Sequence, residues 1–243
     1  MHRHFTTAEN LLSDACTIGR EEARHLQTVL RVKPDDRVQL FDGQGRTREA
    51  VVSAVGKHGL TLTAAAPVVE HPSAVCRLTL FACVSKGKRM DWTIEKAVEL
   101  GVSEIVPVIS GRTIVRIDAD DADAKSGRWV RVAEEAARQC GTAWLPRVCP
   151  PMAFGESLAR VREVSPVFVA ALSPDARPLR DAVTAYPAPK QAGWFVGPEG
   201  DFTPDELDAL LRAGAVPVSL GRNVLRAETA SLYGLCVLNC CWL

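Results

Sequence analysis

The sequence predicts a two-part α/β protein, with a small N-terminal β-barrel followed by a larger domain built on a mainly parallel sheet. Short strands separated by turn signals occupy the first part, whereas strands alternate with helices from Arg77 onward. His71-Pro72-Ser73 is the predicted linker, so we expect one domain at 1–71 and a second at 72–243. The composition, 47% apolar and 24% charged, suits folded domains with a buried core.

Each predicted element of the first domain has a local signal. A helix over Glu21–Leu30 precedes the main strands. Arg37–Phe41 alternates polar and apolar side chains, and Asp42–Gly45 is a turn signal. Two further strands are predicted at Arg48–Val55 and Leu60–Ala64. Strands this short and closely spaced favour a small barrel.

In the second domain, repeated strand–helix units predict a parallel sheet covered by helices on both faces. The strands are predicted at Leu78–Val84, Glu104–Ile109, Pro166–Leu172, Gly193–Val196 and Val216–Leu220. A capping box at Thr203–Glu206, with proline at the first helical position, starts one helix. The last helix, from about Glu228, is apolar nearly all round, which suggests a subunit interface.

Charge and hydropathy exclude several classes of protein. The formal net charge is zero, which argues against a protein that coats nucleic acid through bulk electrostatics. The N-terminus lacks the apolar core of a signal peptide. The longest apolar run, Leu232–Leu243, is too short to span a bilayer and contains Asn239. We therefore expect a soluble, cytoplasmic protein with no membrane partner.

Neither cysteine nor histidine is spaced for metal binding. The eight cysteines include no Cys-x-x-Cys pair, and most lie in apolar stretches, where a free thiol acts as a small hydrophobe. All five histidines lie within the first 71 residues. Unless the first domain reaches over, this excludes Ser-His-Asp hydrolysis and His-ligated zinc from the second domain. No metal cofactor is expected.

Two glycine-bearing loops near the C-terminus each follow a predicted strand. They are Gly-Pro-Glu-Gly at 197–200 and Gly-Arg-Asn-Val-Leu-Arg at 221–226. Ligands of open α/β sheets bind at the carboxyl ends of the strands, where both loops fall. Neither loop is a dinucleotide fingerprint or a phosphate loop. The first alone is equally a structural turn. Together they predict a site for a nucleoside-like ligand, with Leu225 packing on a ring and Arg226 contacting a phosphate or developing anion.

A basic cluster, Lys86-Gly-Lys-Arg89, lies at the end of another predicted strand. Lysine and arginine at this edge would add contacts to a nucleic-acid backbone. Such a cluster on its own is more often a solvated loop.

The order and spacing of several segments resemble the ribosomal small-subunit RNA methyltransferase E family, knotted SPOUT enzymes that methylate N3 of a uridine in 16S rRNA. The resemblance covers nearly the whole chain. The segments are His25–Lys33, Phe41–Gly45, Lys86–Gly101, Arg128–Trp129, Glu135–Gln139, Pro146, Val196–Gly200, Leu220–Gly221 and Val224–Ala230. The chain differs from the usual pattern at Asp201, where a second glycine is common, at Arg222-Asn223, which replaces Pro-Arg, and at Gly141-Thr142.

The resemblance implies a PUA-like RNA-binding barrel at 1–71 and a SPOUT methyltransferase domain with a C-terminal trefoil knot at 72–243. It also implies S-adenosylmethionine as methyl donor, 16S rRNA or the assembled small subunit as partner, and a homodimer formed through the knot helices. The implied donor-binding residues are Leu172, Ser173, Gly197, Glu199, Gly200, Leu220, Gly221, Val224 and Leu225. The implied catalytic residues are Arg226, Glu228 and Thr229, and the RNA-binding residues are Arg24, Arg31, Lys86, Lys88 and Arg89.

Two other functions stay open on the sequence. One is a catalytically weak RNA-binding module that keeps the fold, and the other is an α/β enzyme for small nucleotides. The identity of the general base is open as well: Glu228 or a water would take the N3 proton while Arg226 stabilises the anionic base.

Overall fold

The computed structural model describes residues 1–117 and 119–242, apart from the side chains of Arg24, His25, Val29, Ala119 and Asp120. Contacts divide the chain into two compact units. The first comprises Met1–Ser73 and Ala137–Leu145, and the second comprises Ala74–Ala136 and Pro146–Leu243. The mixed α/β architecture predicted from the sequence is confirmed.

The first unit is built on a six-stranded sheet in the order β1-β3-β4-β5-β2, with β6 pairing β4. Its strands are β1 His2–Phe5, β2 Ala15–Gly19, β3 Arg37–Phe41, β4 Arg46–Gly56, β5 Gly59–Ala64 and β6 Val69–Glu70. Its helices are α1 Ala8–Leu12 and α2 Arg20–Arg24, which continues into a π-helical turn at His25–Val29. The strand predicted at Arg37–Phe41 is confirmed, whereas β1, α1 and β2 had no predicted counterpart.

Alternation places the apolar side chains of these strands on one face, where Ile18, Val38 and Leu62 are buried. Arg48 joins β4 to the end of α1: its guanidinium donates to the carbonyls of Leu11, Leu12 and Ser13 at 3.1–3.3 Å. The buried apolar cluster of this unit is made of residues from its own strands and helices and the loops between them.

Segment 137–145 is held to the first unit by backbone hydrogen bonds and by an arginine near the start of the chain. The Gly45 N–H donates to the carbonyl of Ala143 and the Leu145 N–H donates to the carbonyl of Gly43, both at 3.0 Å. The Arg3 guanidinium donates to the carbonyls of Ala137 at 2.9 Å and Thr142 at 3.0 Å. It also lies 4.6 Å from the centroid of the Phe41 ring, a cation–π distance. The Trp144 indole N–H donates to the carbonyl of Pro72 at 2.9 Å. No local sequence signal predicts this attachment.

The second unit contains one parallel sheet in the order β10-β8-β7-β13-β11-β14-β12, with β9 pairing β8. The strands are β7 Arg77–Cys83, β8 Glu104–Ile109, β9 Arg147–Val148, β10 Met152–Ala153, β11 Val167–Ala170, β12 Arg177–Pro178, β13 Gln191–Val196 and β14 Val216–Ser219. The helices are α3 Lys88–Glu99, α4 Ala119–Cys140, α5 Phe154–Glu163, α6 Leu179–Val183, α7 Pro204–Arg212 and α8 Ala227–Trp242. The last turn of α4 lies in segment 137–145.

Helices cover both faces of this sheet, as predicted. α8 contacts α3, α6, β7 and β13, whereas α5 contacts α7 and β8. The side chains of adjacent residues in β13 point to opposite faces of the sheet. The Trp194 indole N–H donates to the carbonyl of Ala230 in α8 at 3.2 Å, and Phe195 stacks on Phe81 in the core beneath α5 and α7.

The last helix combines an apolar sequence with two specific anchors. Gly234 leaves room for the Trp194 ring, since a Cβ at this position would lie 2.0 Å from a ring carbon. The Asn239 amide donates to the carbonyl of Leu100 at 2.7 Å and so ties α8 to the end of α3. Thr229, Tyr233, Cys236 and Cys240 form an exposed stripe along the helix.

Half of the cysteines are exposed, although most lie in apolar stretches of the sequence. All eight are free thiols; Cys16, Cys76, Cys83 and Cys149 are buried, whereas Cys140, Cys236, Cys240 and Cys241 are exposed. The apolar run near the C-terminus therefore does not bury its cysteines within the chain. Among the described residues, no helix combines the length and hydropathy needed to cross a membrane.

Candidate active site at the carboxyl edge of the sheet

Three loops enclose a cavity of about 280 Å³ at the carboxyl ends of β11, β13 and β14. This volume is close to the lower end of the roughly 300–1,000 Å³ typical of small-molecule sites. The wall residues are Ala170, Ala171, Leu172, Val196, Gly197, Pro198, Glu199, Asp201, Val218, Ser219, Leu220, Gly221, Asn223, Val224, Leu225, Arg226, Ala227 and Ala230. Both glycine loops therefore line the same cavity.

The loop after β13 is held in a tight turn. The Asp201 N–H donates to the carbonyl of Pro198 at 2.9 Å, and Asp201 adopts a left-handed φ of 58°. A Cβ on Gly197 would lie 3.1 Å from the Phe202 ring. Glycine at 197 is thus explained by the packing of Phe202 beneath the loop. The predicted capping box then starts α7, because Thr203 Oγ1 accepts from the Glu206 N–H and Glu206 Oε2 from the Thr203 N–H.

Two side chains from neighbouring elements fix this loop. Arg89, at the start of α3, donates to Glu199 Oε1 at 2.5 Å. Arg112, in the loop after β8, donates to the carbonyls of Gly200 at 2.8 Å and Phe202 at 3.1 Å. In return, Glu206 Oε1 accepts from the Gly111 N–H at 2.7 Å. These contacts define the position of the loop at the cavity wall.

Arg112, which fixes the loop at the cavity wall, was missed by the sequence reasoning. It comes three residues after β8 ends at Ile109, so it falls at the same carboxyl edge as the glycine loops. A charged residue just beyond a buried strand at this edge was the available signal. Asp201 was noted only as a departure from the family pattern, yet it lines the cavity.

In the loop after β14, the Ser219 hydroxyl accepts from the Gly221 N–H at 3.3 Å and donates to the Gly221 carbonyl at 3.4 Å. Gly221 has a φ of 123°, and nothing lies within 4 Å of the place a Cβ would occupy. Glycine is required there by conformation and not by packing. Val224 is 75% exposed and Leu172, across the cavity, is 68% exposed. Exposed apolar side chains at a cavity mouth are typical of a site that contacts a ligand or partner.

Most residues implied for donor binding line the cavity, as does Arg226. Ser173, Gly200, Glu228 and Thr229 do not belong to its wall. Glu228 and Thr229 occupy the first turn of α8, directly after Arg226 and Ala227. Glu228 Oε2 is buried and has no hydrogen-bond partner among the described residues.

The residues implied for RNA binding are distributed over both units. Arg31 is exposed in the first unit with a φ of 52°, and the side chain of Arg24 lies outside the described part of the structure. Lys86 and Lys88 are exposed at the start of α3. Arg89 of the same cluster forms an ion pair with Glu199.

The interior behind the cavity is apolar and keeps its thiol neutral. Burial raises the pKa of the Cys83 thiol to about 12, and the carboxylates of Glu206, Asp201 and Glu199 act in the same direction. Cys83 is therefore not a nucleophile at neutral pH. Within the described residues, no group of three or more His, Cys, Asp or Glu side chains is arranged to hold a metal ion.

Two family models match the chain, one over its larger C-terminal part and one over its N-terminal part. A model described as RNA methyltransferase domain matches residues 71–239, and one described as RNA methyltransferase PUA domain matches residues 18–64. The PUA-like character of the N-terminal part is thereby confirmed.

Curated relatives share most of their length with this chain. The ribosomal RNA small subunit methyltransferase E of Mycobacterium bovis is 34% identical over 225 residues, 90% of this chain and 83% of the relative. The protein of the same name from Bacillus subtilis is 27% identical over 246 residues, 98% of this chain and 96% of the relative.

Two solved structures match nearly the whole length of the chain. A ribosomal RNA small subunit methyltransferase E from Neisseria gonorrhoeae, bound to S-adenosyl methionine, has a TM-score of 0.87 at 30% identity, covering 100% of this chain and 98% of that one. A Legionella pneumophila protein in complex with the bound cofactor SAM has a TM-score of 0.91 at 28% identity, covering 99% and 97%. With a domain model matched over 71–239 and a relative at 34% identity, the chain belongs to the ribosomal RNA small subunit methyltransferase E family.

Proposed function

We propose that the protein transfers a methyl group from S-adenosylmethionine to N3 of a uridine in 16S rRNA. One observation carries the proposal: the cavity at the carboxyl edge, walled by the loops after β11, β13 and β14, has Arg226 in its wall. A ribosomal RNA methyltransferase needs a site for a small nucleoside-containing donor beside a group that stabilises a nucleobase anion.

The lining of the cavity suits such a donor chemically. Leu220, Val224 and Leu225 offer apolar surface for an adenine ring, and the backbone of the same loop would supply polar groups for its edge. Leu172, Gly197 and Glu199 would contact the rest of the molecule from the opposite wall. When bound, S-adenosylmethionine supplies a methyl group on a positively charged sulfur.

Arg226 is the residue we assign to the base itself. Uridine N3 carries a proton at neutral pH and becomes nucleophilic only when that proton leaves. Negative charge then spreads to the carbonyl oxygens of the base, where a guanidinium stabilises it. Arg226 is exposed at the cavity wall, so its guanidinium is accessible to a base.

The proton requires an acceptor, and Glu228 is our candidate. Its Oε2 is buried without a hydrogen-bond partner among the described residues, which leaves the oxygen able to accept a proton. Thr229, exposed on the same turn, would contact the uridine. A water held near Arg226 is the alternative base.

The remaining assignments concern RNA, assembly and topology. We propose that Arg24, Arg31, Lys86 and Lys88 contact the RNA backbone in the cytoplasm. We also propose a homodimer through α8, supported by its exposed stripe with Tyr233 at 45% exposure. We propose a C-terminal trefoil knot because the chain belongs to a family for which the resemblance implies one.

Reverse transcription across small-subunit RNA tests the function directly. Methylation at N3 blocks Watson–Crick pairing, so RNA from cells lacking this protein should lose one strong stop. Complementation with the wild-type protein should restore the stop, and complementation with Arg226→Ala should not. Arg222→Ala, a change in the same loop outside the cavity wall, is the matched control and should restore it.

Three results would overturn the proposal. An unchanged pattern of stops would exclude N3 as the site of modification. A purified protein that binds the RNA but not S-adenosylmethionine would instead be an RNA-binding module. Turnover of a free nucleotide without residues 1–70 would indicate a small-molecule enzyme.

A further inference from the structure

We propose that Asp201 makes the cavity selective for the cationic donor over the neutral product left after methyl transfer. The inference rests on the proposed function, because it assumes that S-adenosylmethionine occupies this cavity. Methyl transfer breaks the sulfur–methyl bond and leaves its electron pair on sulfur, which becomes a neutral thioether. The new bond uses the electron pair of N3, and the N3 proton leaves to the base. The ligand therefore loses one positive charge.

The carboxylate of Asp201 is held in a defined place at the cavity wall. Its backbone is left-handed, with a φ of 58°, a conformation that aspartate adopts more readily than most residues. Oδ1 accepts from the Phe202 N–H at 2.8 Å. The same oxygen lies 3.3 Å from the position of a Cβ on Gly197, another residue of the wall. The turn and this bond together restrict the rotation of the side chain.

The charge of Asp201 is not neutralised by a neighbouring side chain. Three charged residues line the cavity: Glu199, Asp201 and Arg226. Glu199 is paired with Arg89 at 2.5 Å. Among the described residues, no Lys, Arg or His nitrogen lies within ion-pair distance of the Asp201 carboxylate. The nearby Arg112 guanidinium bonds the carbonyls of Gly200 and Phe202 instead.

An uncompensated carboxylate in the wall attracts a sulfonium and has no such effect on a thioether. The cavity is open to solvent, so the attraction is comparable to that of a partly exposed ion pair, or about a fivefold difference in affinity. Weaker retention of the product would speed its exchange for fresh donor. A glycine at this position, common in the family pattern, carries no charge and would lack this discrimination.

Calorimetric titration of the full chain with S-adenosylmethionine and with S-adenosylhomocysteine tests the inference without any turnover. In Asp201→Asn, the donor should bind about fivefold more weakly, whereas the product should change by less than about twofold. Asparagine keeps the side-chain oxygen that accepts from Phe202 and also tolerates a left-handed backbone. Asp201→Gly should show the same loss of selectivity.

Asp205→Asn is the matched control because it removes the same charge from the exposed first turn of α7, outside the cavity wall. It should leave both affinities within about twofold. Added salt should reduce the selectivity of the wild type and have little effect on that of Asp201→Asn.

Equal weakening of both ligands in Asp201→Asn would contradict the inference and assign Asp201 a structural role in the loop. Unchanged affinity for both would contradict it as well. A wild-type chain that binds neither ligand would refute the proposed function itself, and this inference with it, so the two failures are distinguishable.

Discussion

The two edges of the parallel sheet use their charged residues differently. At the amino edge, Arg160 donates to both carboxylate oxygens of Glu104, at 2.8 and 2.7 Å. Hydrogen bonding to Glu104 raises the pKa of Arg160 above its usual value. At the carboxyl edge, Asp201 and Arg226 line a cavity and have no ion-pair partner among the described residues.

The comparison separates charged residues that stabilise the fold from charged residues that are available to a ligand. A paired and partly buried carboxylate at the amino edge ties α5 to the start of β8. Unpaired charges at the carboxyl edge contribute little to folding but remain free to interact with a ligand. Substitutions at the two edges should therefore affect different measurements.

The largest effect is expected for Arg226→Ala at the carboxyl edge. Turnover should fall by about 10²- to 10³-fold because the anionic base loses its cationic partner. The dissociation constant for S-adenosylmethionine should stay within about twofold, since we assign Arg226 to the uridine. Methyl transfer into small-subunit RNA and calorimetry measure the two quantities. A parallel loss of donor affinity would show that Arg226 holds the donor instead.

Glu104→Ala at the amino edge should produce the opposite pattern. The free energy of unfolding should fall by about 2 kcal/mol, because Arg160 loses its carboxylate partner in a partly buried setting. Donor affinity should not change. Urea denaturation is the measurement, and Glu163→Ala is the control, because this exposed carboxylate lies 3.6 Å from Arg160 and should contribute less than about 0.5 kcal/mol. Reduced donor binding in folded Glu104→Ala would break the distinction between the edges.

Arg112→Ala should weaken donor binding by about tenfold, because two hydrogen bonds that fix the loop at 200–202 are lost. Arg112→Lys should recover part of this loss, since an ammonium can still donate to a carbonyl. Arg212→Ala removes the same side chain from the last turn of α7 and should leave the affinity unchanged. Full affinity in Arg112→Ala would show that the loop holds its position without the arginine.

The smallest effect distinguishes two roles for the basic cluster. Arg89→Ala should weaken donor binding by about threefold, because Glu199 loses its partner, while RNA affinity stays nearly constant. Lys88→Ala should instead lower RNA affinity and reduce its dependence on salt. Filter binding and calorimetry, run on both variants, separate the two. If Arg89→Ala instead lowered RNA affinity and left donor binding unchanged, Arg89 would have the RNA-binding role that the family resemblance implies.

Much of the site was predictable because its signals are local. The capping box at Thr203–Glu206 and the strand ends before both glycine loops follow from residues a few positions apart. Since the carboxyl ends of parallel strands meet at one edge, these signals sufficed to bring Gly197, Gly221 and Arg226 to one cavity.

The contacts that shape the cavity were not predictable in the same way. Arg89 and Glu199 are 110 residues apart, and Arg112 and Gly200 are 88 apart. A charged side chain at the start of a helix has many possible partners, and only the packed sheet selects one. The attachment of segment 137–145 to Arg3 depends in the same way on residues more than 130 positions apart.

By itself, the sequence determined the main strands of the parallel sheet, their alternation with helices and the edge at which the loops meet, because hydrophobic periodicity and turn chemistry act over a few residues. Only the tertiary structure decided which charges are paired, which cysteines are buried and which arginines fix the glycine loop. These outcomes depend on distances between residues far apart in the chain, and no local propensity specifies such distances.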